Sequence, residues 1–165
     1  MKDRSIIPFT IERLLDAPRE RVWRAWTEVE HLVHWWGPKG FTVTQCTVDL
    51  RPGGKMHYCL RMPDGGEMWG RFVYREIVPP EKLVWVNSFS DKDGGVTRHP
   101  MAPDWPRELL TTVRFADEQG RTRVTVEWVP IDANDTELGV FDQGRDSMTQ
   151  GWGGTFEQLE HYLAL

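Results

Sequence analysis

Residues 135–165 read DTELGVFDQGRDSMTQGWGGTFEQLEHYLAL, and this stretch decides the fold. Leu138, Phe141, Met148, Trp152, Phe156, Leu159 and Leu163 recur at spacings of three, four or seven, so they fall on one stripe of a helix with a single buried face. The period predicts one long C-terminal helix beginning near Asp135. Its glycines at 139, 144, 151, 153 and 154 each cost up to about 1 kcal/mol relative to alanine. They are therefore expected to serve a bend or a close approach to the layer beneath.

Before this helix the period is two rather than 3.6. Alternating apolar and polar residues predict strands over Phe41–Leu50, Lys55–Met62, Glu67–Val78, Lys82–Ser90, Leu109–Ala116 and Arg121–Val129. The gaps Arg51–Gly54, Pro63–Gly66, Pro79–Glu81 and Asp117–Gly120 are rich in proline, glycine and aspartate, and each is short enough for an antiparallel hairpin. One connection is long. Residues 91–107 carry Gly94, Gly95, Pro100, Pro103 and Pro106, and a loop of this length in a compact domain is usually mobile or functional, so it is expected at a cavity mouth.

Further toward the N-terminus, Ile6–Leu15 alternates as another strand, and Asp16-Ala17-Pro18 ends it. Asp16 is a candidate cap and Pro18 suits the first turn of a helix whose apolar stripe is Val22, Trp23 and Trp26. A second short helix runs from Val29 to about Trp35, broken by Gly37-Pro38. The order is strand, two short helices, six strands, long helix. This predicts an α+β fold: a curved seven-stranded antiparallel sheet wrapped around the C-terminal helix. Side chains fill the space between sheet and helix, or leave it as a pocket.

The composition of this 165-residue chain bounds the function. Hydrophobic residues make up 39% and charged residues 27%, which fits a globular protein rather than a disordered or membrane chain. A net charge of −5 with scattered basic residues argues against nucleic acid, whose phosphates need clustered Lys and Arg. No apolar run has the length of a membrane span or a signal-peptide core, so the cytoplasm is the expected location. Cys46 and Cys59 lack the spacing of a zinc or redox motif and read as free thiols. Nine tryptophans are an unusual number and imply that something large and apolar is being lined or packed.

Several segments together resemble a known family: APRERVWRAWT at 17–27, Trp35-Trp36-Gly37-Pro38, DLRPGG at 49–54, PPEKLV at 79–84 and Gly151-Trp152. The chain is similar, nearly end to end, to proteins like the C-terminal domain of the activator of the ninety-kilodalton heat-shock protein ATPase. These belong to the START-like, polyketide-cyclase-like and plant-allergen-like superfamily. The resemblance implies a single START-like domain over residues 1–165 with the helix-grip fold, a hydrophobic pocket in many members, and no tightly bound cofactor. The co-chaperone's N-terminal domain has no counterpart in this sequence, which weakens chaperone regulation as an expectation.

The candidate cavity residues are Trp23, Trp35, Trp36, His57, Trp69, Trp85, Val113, Phe115, Met148, Trp152, Phe156 and Leu159. Trp35 and Trp36 either wall a ligand or seal the short helices onto the sheet. Strand parity puts only some of the others on the concave face, and a one-residue bulge would reverse an assignment. Arg13 and Glu127 are further candidates to point inward. His57, with Tyr58 and Glu67 on neighbouring strands, is the place to look for an acid or base; an exposed cross-strand pair is its plainer explanation. His31 and His34 have a metal-compatible spacing but no third ligand nearby, so no metal site and no catalytic residue is assigned.

Three functions remain open. The leading one is non-catalytic binding of a small apolar molecule: lipid-like, polyketide-like or aromatic. A chaperone-interacting, stress-related module would need an exposed apolar patch. A cyclase-like or hydrolase-like enzyme would need a polar cavity residue with a shifted pKa.

Overall fold

A computed structural model describes residues 7–165, so the predicted start of the first strand at Ile6 lies outside the described residues. Strand β1 spans Phe9–Leu15 and pairs in register from Phe9↔Trp128 to Leu15↔Thr122. Helix α1 follows at Arg19–Thr27. Asp16 is not its cap: Pro18 holds the N-cap position with no side-chain hydrogen bond, and its carbonyl accepts from Arg21 and Val22. The helix buries Val22, Trp23, Ala25, Trp26 and Thr27. Helix α2 is shorter than its sequence suggests, Val29–Leu32, because the chain tightens into turns through Trp36. Trp35 locks that turn onto α1 by donating from Nε1 to the Ala25 carbonyl at 2.9 Å.

Strands β2 (Thr42–Val48), β3 (Lys55–Arg61), β4 (Glu67–Val78) and β5 (Lys82–Ser90) form a meander through tight turns. The two-residue strand β6, Val96–Thr97, lies inside the long connection, making eight strands where seven were predicted. It is too short to show an alternating pattern. Strands β7 (Glu108–Glu118) and β8 (Arg121–Ile131) complete one antiparallel sheet in the order β1-β8-β7-β5-β4-β3-β2. Bulges between Val43 and Gln45 and between Tyr74 and Glu76 shift the register and add to the curl.

Strand β5 changes partner along its length. Lys82–Asn87 pair with β7, the last match being Asn87↔Leu109, whereas Phe89 and Ser90 pair with β6. The sheet forks at this point.

The C-terminal segment is two helices rather than one, α3 at Asp135–Gln143 and α4 at Arg145–Leu163. Asn134 and Glu137 form a reciprocal capping box at the start of α3. The break falls at Gly144, where a Cβ would come within 3.2 Å of the Trp105 ring, so the glycine admits an indole from the long loop. A continuous apolar stripe hides such a break because both helices bury the same side. Helix α4 buries Met148, Trp152, Phe156, Leu159 and Leu163 in the concavity of the sheet, which is the helix-grip arrangement. Among the described residues no helix is long and apolar enough to cross a membrane.

Candidate functional site

The core is aromatic at its centre. Trp26 of α1 touches Trp35, Trp36, Trp85, Phe115 and Trp152 at centroid distances of 4.9–6.4 Å. Phe72 and Trp85, from adjacent strands, stack at 4.2 Å and 5°. Trp36, Phe72, Trp85 and Trp152 of this cluster also border gaps in the packing.

One such gap is a cavity of about 520 Å³ between the sheet and α4. Trp36, Phe72 and Trp85 form one wall, and Met148, Gly151 and Trp152 face them from α4. The long loop contributes His99, Met101, Trp105 and Arg107 to the outer rim, close to where the sheet forks at Asn87 and Leu109. Two of the loop's contacts reach α3. Arg98 Nη1 donates to Glu137 Oε2 at 2.8 Å, and the Trp105 ring lies 5.7 Å from that of Phe141. The capping hydrogen bond from the Asn134 backbone, then the Arg98 guanidinium, hold the Glu137 carboxyl below its usual range.

The polar groups on the cavity wall are few. Asn87 Oδ1 accepts from Thr111 Oγ1 at 2.5 Å. Tyr58 lies against Gly70, where a Cβ would fall 2.3 Å from the phenol oxygen. Burial pushes the Tyr58 phenol up to about 12, so at neutral pH it is a protonated hydroxyl. Burial lowers the His99 pKa, favouring the neutral ring, which packs against Phe89 at 4.6 Å. No carboxylate is on the wall, and Arg107 is its one permanently charged side chain among the described residues.

Of the twelve sequence candidates, Trp36, Trp69, Trp85, Met148 and Trp152 line this cavity. Trp23, Trp35, Val113, Phe115, Phe156 and Leu159 lie outside its wall in the packed core; Trp23, for instance, meets Phe115 edge-on at 5.4 Å. His57 also lies outside. Its ring stacks on Trp69 at 5.0 Å, and its Nε2 is 3.0 Å from the Asp91 carbonyl and 3.2 Å from Ser90 Oγ. A carbonyl can only accept, so Nε2 carries the proton there and does not serve Ser90 as a base. Glu67 instead meets the thiol of Cys59 at 3.4 Å. The thiol of Cys46 is pushed up to about 11 by burial, and both cysteines are free.

Arg13 does not enter the cavity: it pairs with Glu160 and lies over the Phe156 ring at 5.5 Å. Glu127 is exposed. His31 is bonded through Nδ1 to the Tyr162 hydroxyl at 2.5 Å, and His34 stacks on the same ring at 5.3 Å. Among the described residues no three His, Cys, Asp or Glu side chains are grouped to hold a metal.

Wall residues that the pattern did not single out include Met68, Met101 and Trp105. Trp105 had a signal: a tryptophan between Pro103 and Pro106 in the long connection is an apolar residue with no strand or helix to belong to.

The comparisons with known proteins agree with the architecture. A protein from Arthrobacter aurescens has a solution structure that superposes with a TM-score of 0.80 at 26% identity, covering 98% of this chain and 90% of that one. A Mycobacterium smegmatis protein reaches 0.76 at 26% identity, over 94% and 90%. The AHSA1 protein of Silicibacter pomeroyi, at 18% identity and a TM-score of 0.69 over 96% and 98%, shares the fold. No curated protein matches the sequence. The profile of the family described as "Activator of Hsp90 ATPase homolog 1-like protein" matches residues 16–164, and the chain belongs to that family.

Proposed function

We propose that the protein binds a small apolar molecule in the cavity between the sheet and α4, without transforming it. The observation that carries this reading is a half-open pocket of about 520 Å³ between the sheet and α4, walled largely by aromatic and methionine side chains. Apolar surface left facing such a pocket is surface that a ligand can remove from water. A ligand burying roughly 300 Å² of apolar surface there would gain about 7 kcal/mol before the costs of association. Residues of the wall, including Trp36, Trp69, Trp85, Met148 and Trp152, would supply that surface. The protonated Tyr58 phenol and neutral His99 would orient a ligand rather than attack it. Free thiols fit a reducing, cytoplasmic setting.

The chaperone-directed alternative gains nothing from the surface: among the described residues the exposed large apolar side chains are Ile7, Leu50, Met101 and Leu165, each on a different segment. Native mass spectrometry of freshly purified protein, followed by solvent extraction, tests the binding reading. A co-purifying apolar compound, or uptake from a lipid and aromatic library, is expected; a protein that stays empty throughout would overturn it.

A further inference from the structure

The long loop carries two arginines, Arg98 and Arg107, and they are used differently. Arg98 is committed to the buried Glu137. Arg107, exposed to solvent at the last loop position before β7, is among the residues that border the cavity and has no ion pair among the described residues. Its neighbours in sequence, Asp104 and Glu108, are not part of the wall. The cavity therefore presents an apolar, tryptophan-rich interior with a single uncompensated guanidinium at its rim.

A wall of indole faces by itself suits either a flat aromatic ligand or an organic cation, because ring faces attract positive charge. The guanidinium decides between them. It repels a cation and matches the oxygens of an acid group. With no carboxylate on the wall, nothing in the cavity competes for it.

We infer that the cavity selects a flat aromatic compound bearing one acidic group, with the rings against the tryptophans and the acid on Arg107. This rests on the cavity being a binding site, and the two can be tested apart.

The probes are N-phenyl-1-naphthylamine, which is neutral, and 8-anilinonaphthalene-1-sulfonate, the same body with an acid group. Fluorescence titration of the full chain is expected to show both dyes binding and the sulfonate binding about fivefold to tenfold tighter at low salt, with the gap narrowing at high salt. Arg107→Gln should remove the preference while leaving the neutral dye within about twofold. Gly151→Leu, which places a side chain into the cavity from an uncrowded helix position, should weaken both dyes. Equal affinity for the two dyes, or a sulfonate preference that survives Arg107→Gln, would overturn the acid assignment alone, and dye binding that Gly151→Leu leaves unchanged would place the dyes outside the cavity and overturn it too. If neither dye binds, the cavity reading and this assignment fall together.

Discussion

The indole of Trp152 lies parallel to that of Trp26, with 6.2 Å between ring centroids and 13° between planes. Trp152 therefore belongs both to the packed core and to the cavity wall. Trp69, half-buried on β4, belongs to the wall and leans on His57. Trp152→Ala is expected to cost about 3–5 kcal/mol of stability as well as ligand affinity. Trp69→Ala should cost about 1 kcal/mol and weaken an aromatic ligand several-fold. Thermal denaturation beside dye titration separates the two; equal destabilisation by both substitutions would contradict the placement.

The glycines of α4 divide by what surrounds them. At Gly154 a Cβ would sit 3.2 Å from Lys39, so alanine there must push the chain after Pro38 outward. Gly153 has open space around it, and Gly153→Ala should stabilise the protein by up to about 1 kcal/mol with binding unchanged. Urea unfolding measures the first, and dye affinity the second.

Gly70 is present because Tyr58 crosses it. Gly70→Ala should destabilise by roughly 1–3 kcal/mol through overpacking against the phenol ring. In a Tyr58→Ala background the same change should cost much less, a coupling that a double-mutant cycle in denaturant reads directly. Purely additive costs would mean that the ring moves aside freely.

Glu137 sets an acid limit on the loop. Its folded pKa lies below the ordinary 4.5, so its contribution is complete above that value and is lost as pH falls through the lower, native one. Glu137→Gln should be less stable than the parent at neutral pH, and the gap should close as the pH drops below 4.5. Asp91 and Glu118 are shifted in the same direction, so the difference between the two proteins, rather than either curve, is the quantity to follow. Removing the partner by Arg98→Ala should cost about 1 kcal/mol or less, because that guanidinium is half exposed.

The sheet was legible because its strands obey a local rule. Glu67–Val78 and Lys82–Ser90 begin and end where alternation meets proline, glycine or aspartate, and the structure keeps those bounds. The break at Gly144 was not legible, since the indole that packs against it comes from Trp105 in the distant long loop. Cavity and core were also indistinguishable by pattern. Trp85 and Val113 are both buried strand residues, but Trp85 borders the empty volume and Val113 does not. What separates them is which side chains surround each one in the assembled interior, and no periodicity encodes that.

The fork at Asn87 has a consequence for how such a protein can change. From Val96 to Arg107 the chain contributes only two ladder pairs to the sheet, both through β6, while supplying His99, Met101, Trp105 and Arg107 to the rim. Insertions, deletions or a wholesale exchange of this segment leave the register of every long strand untouched. The register of the scaffold and the loop's share of the rim are thus held on separate stretches of chain, and one can be rewritten while the other is inherited.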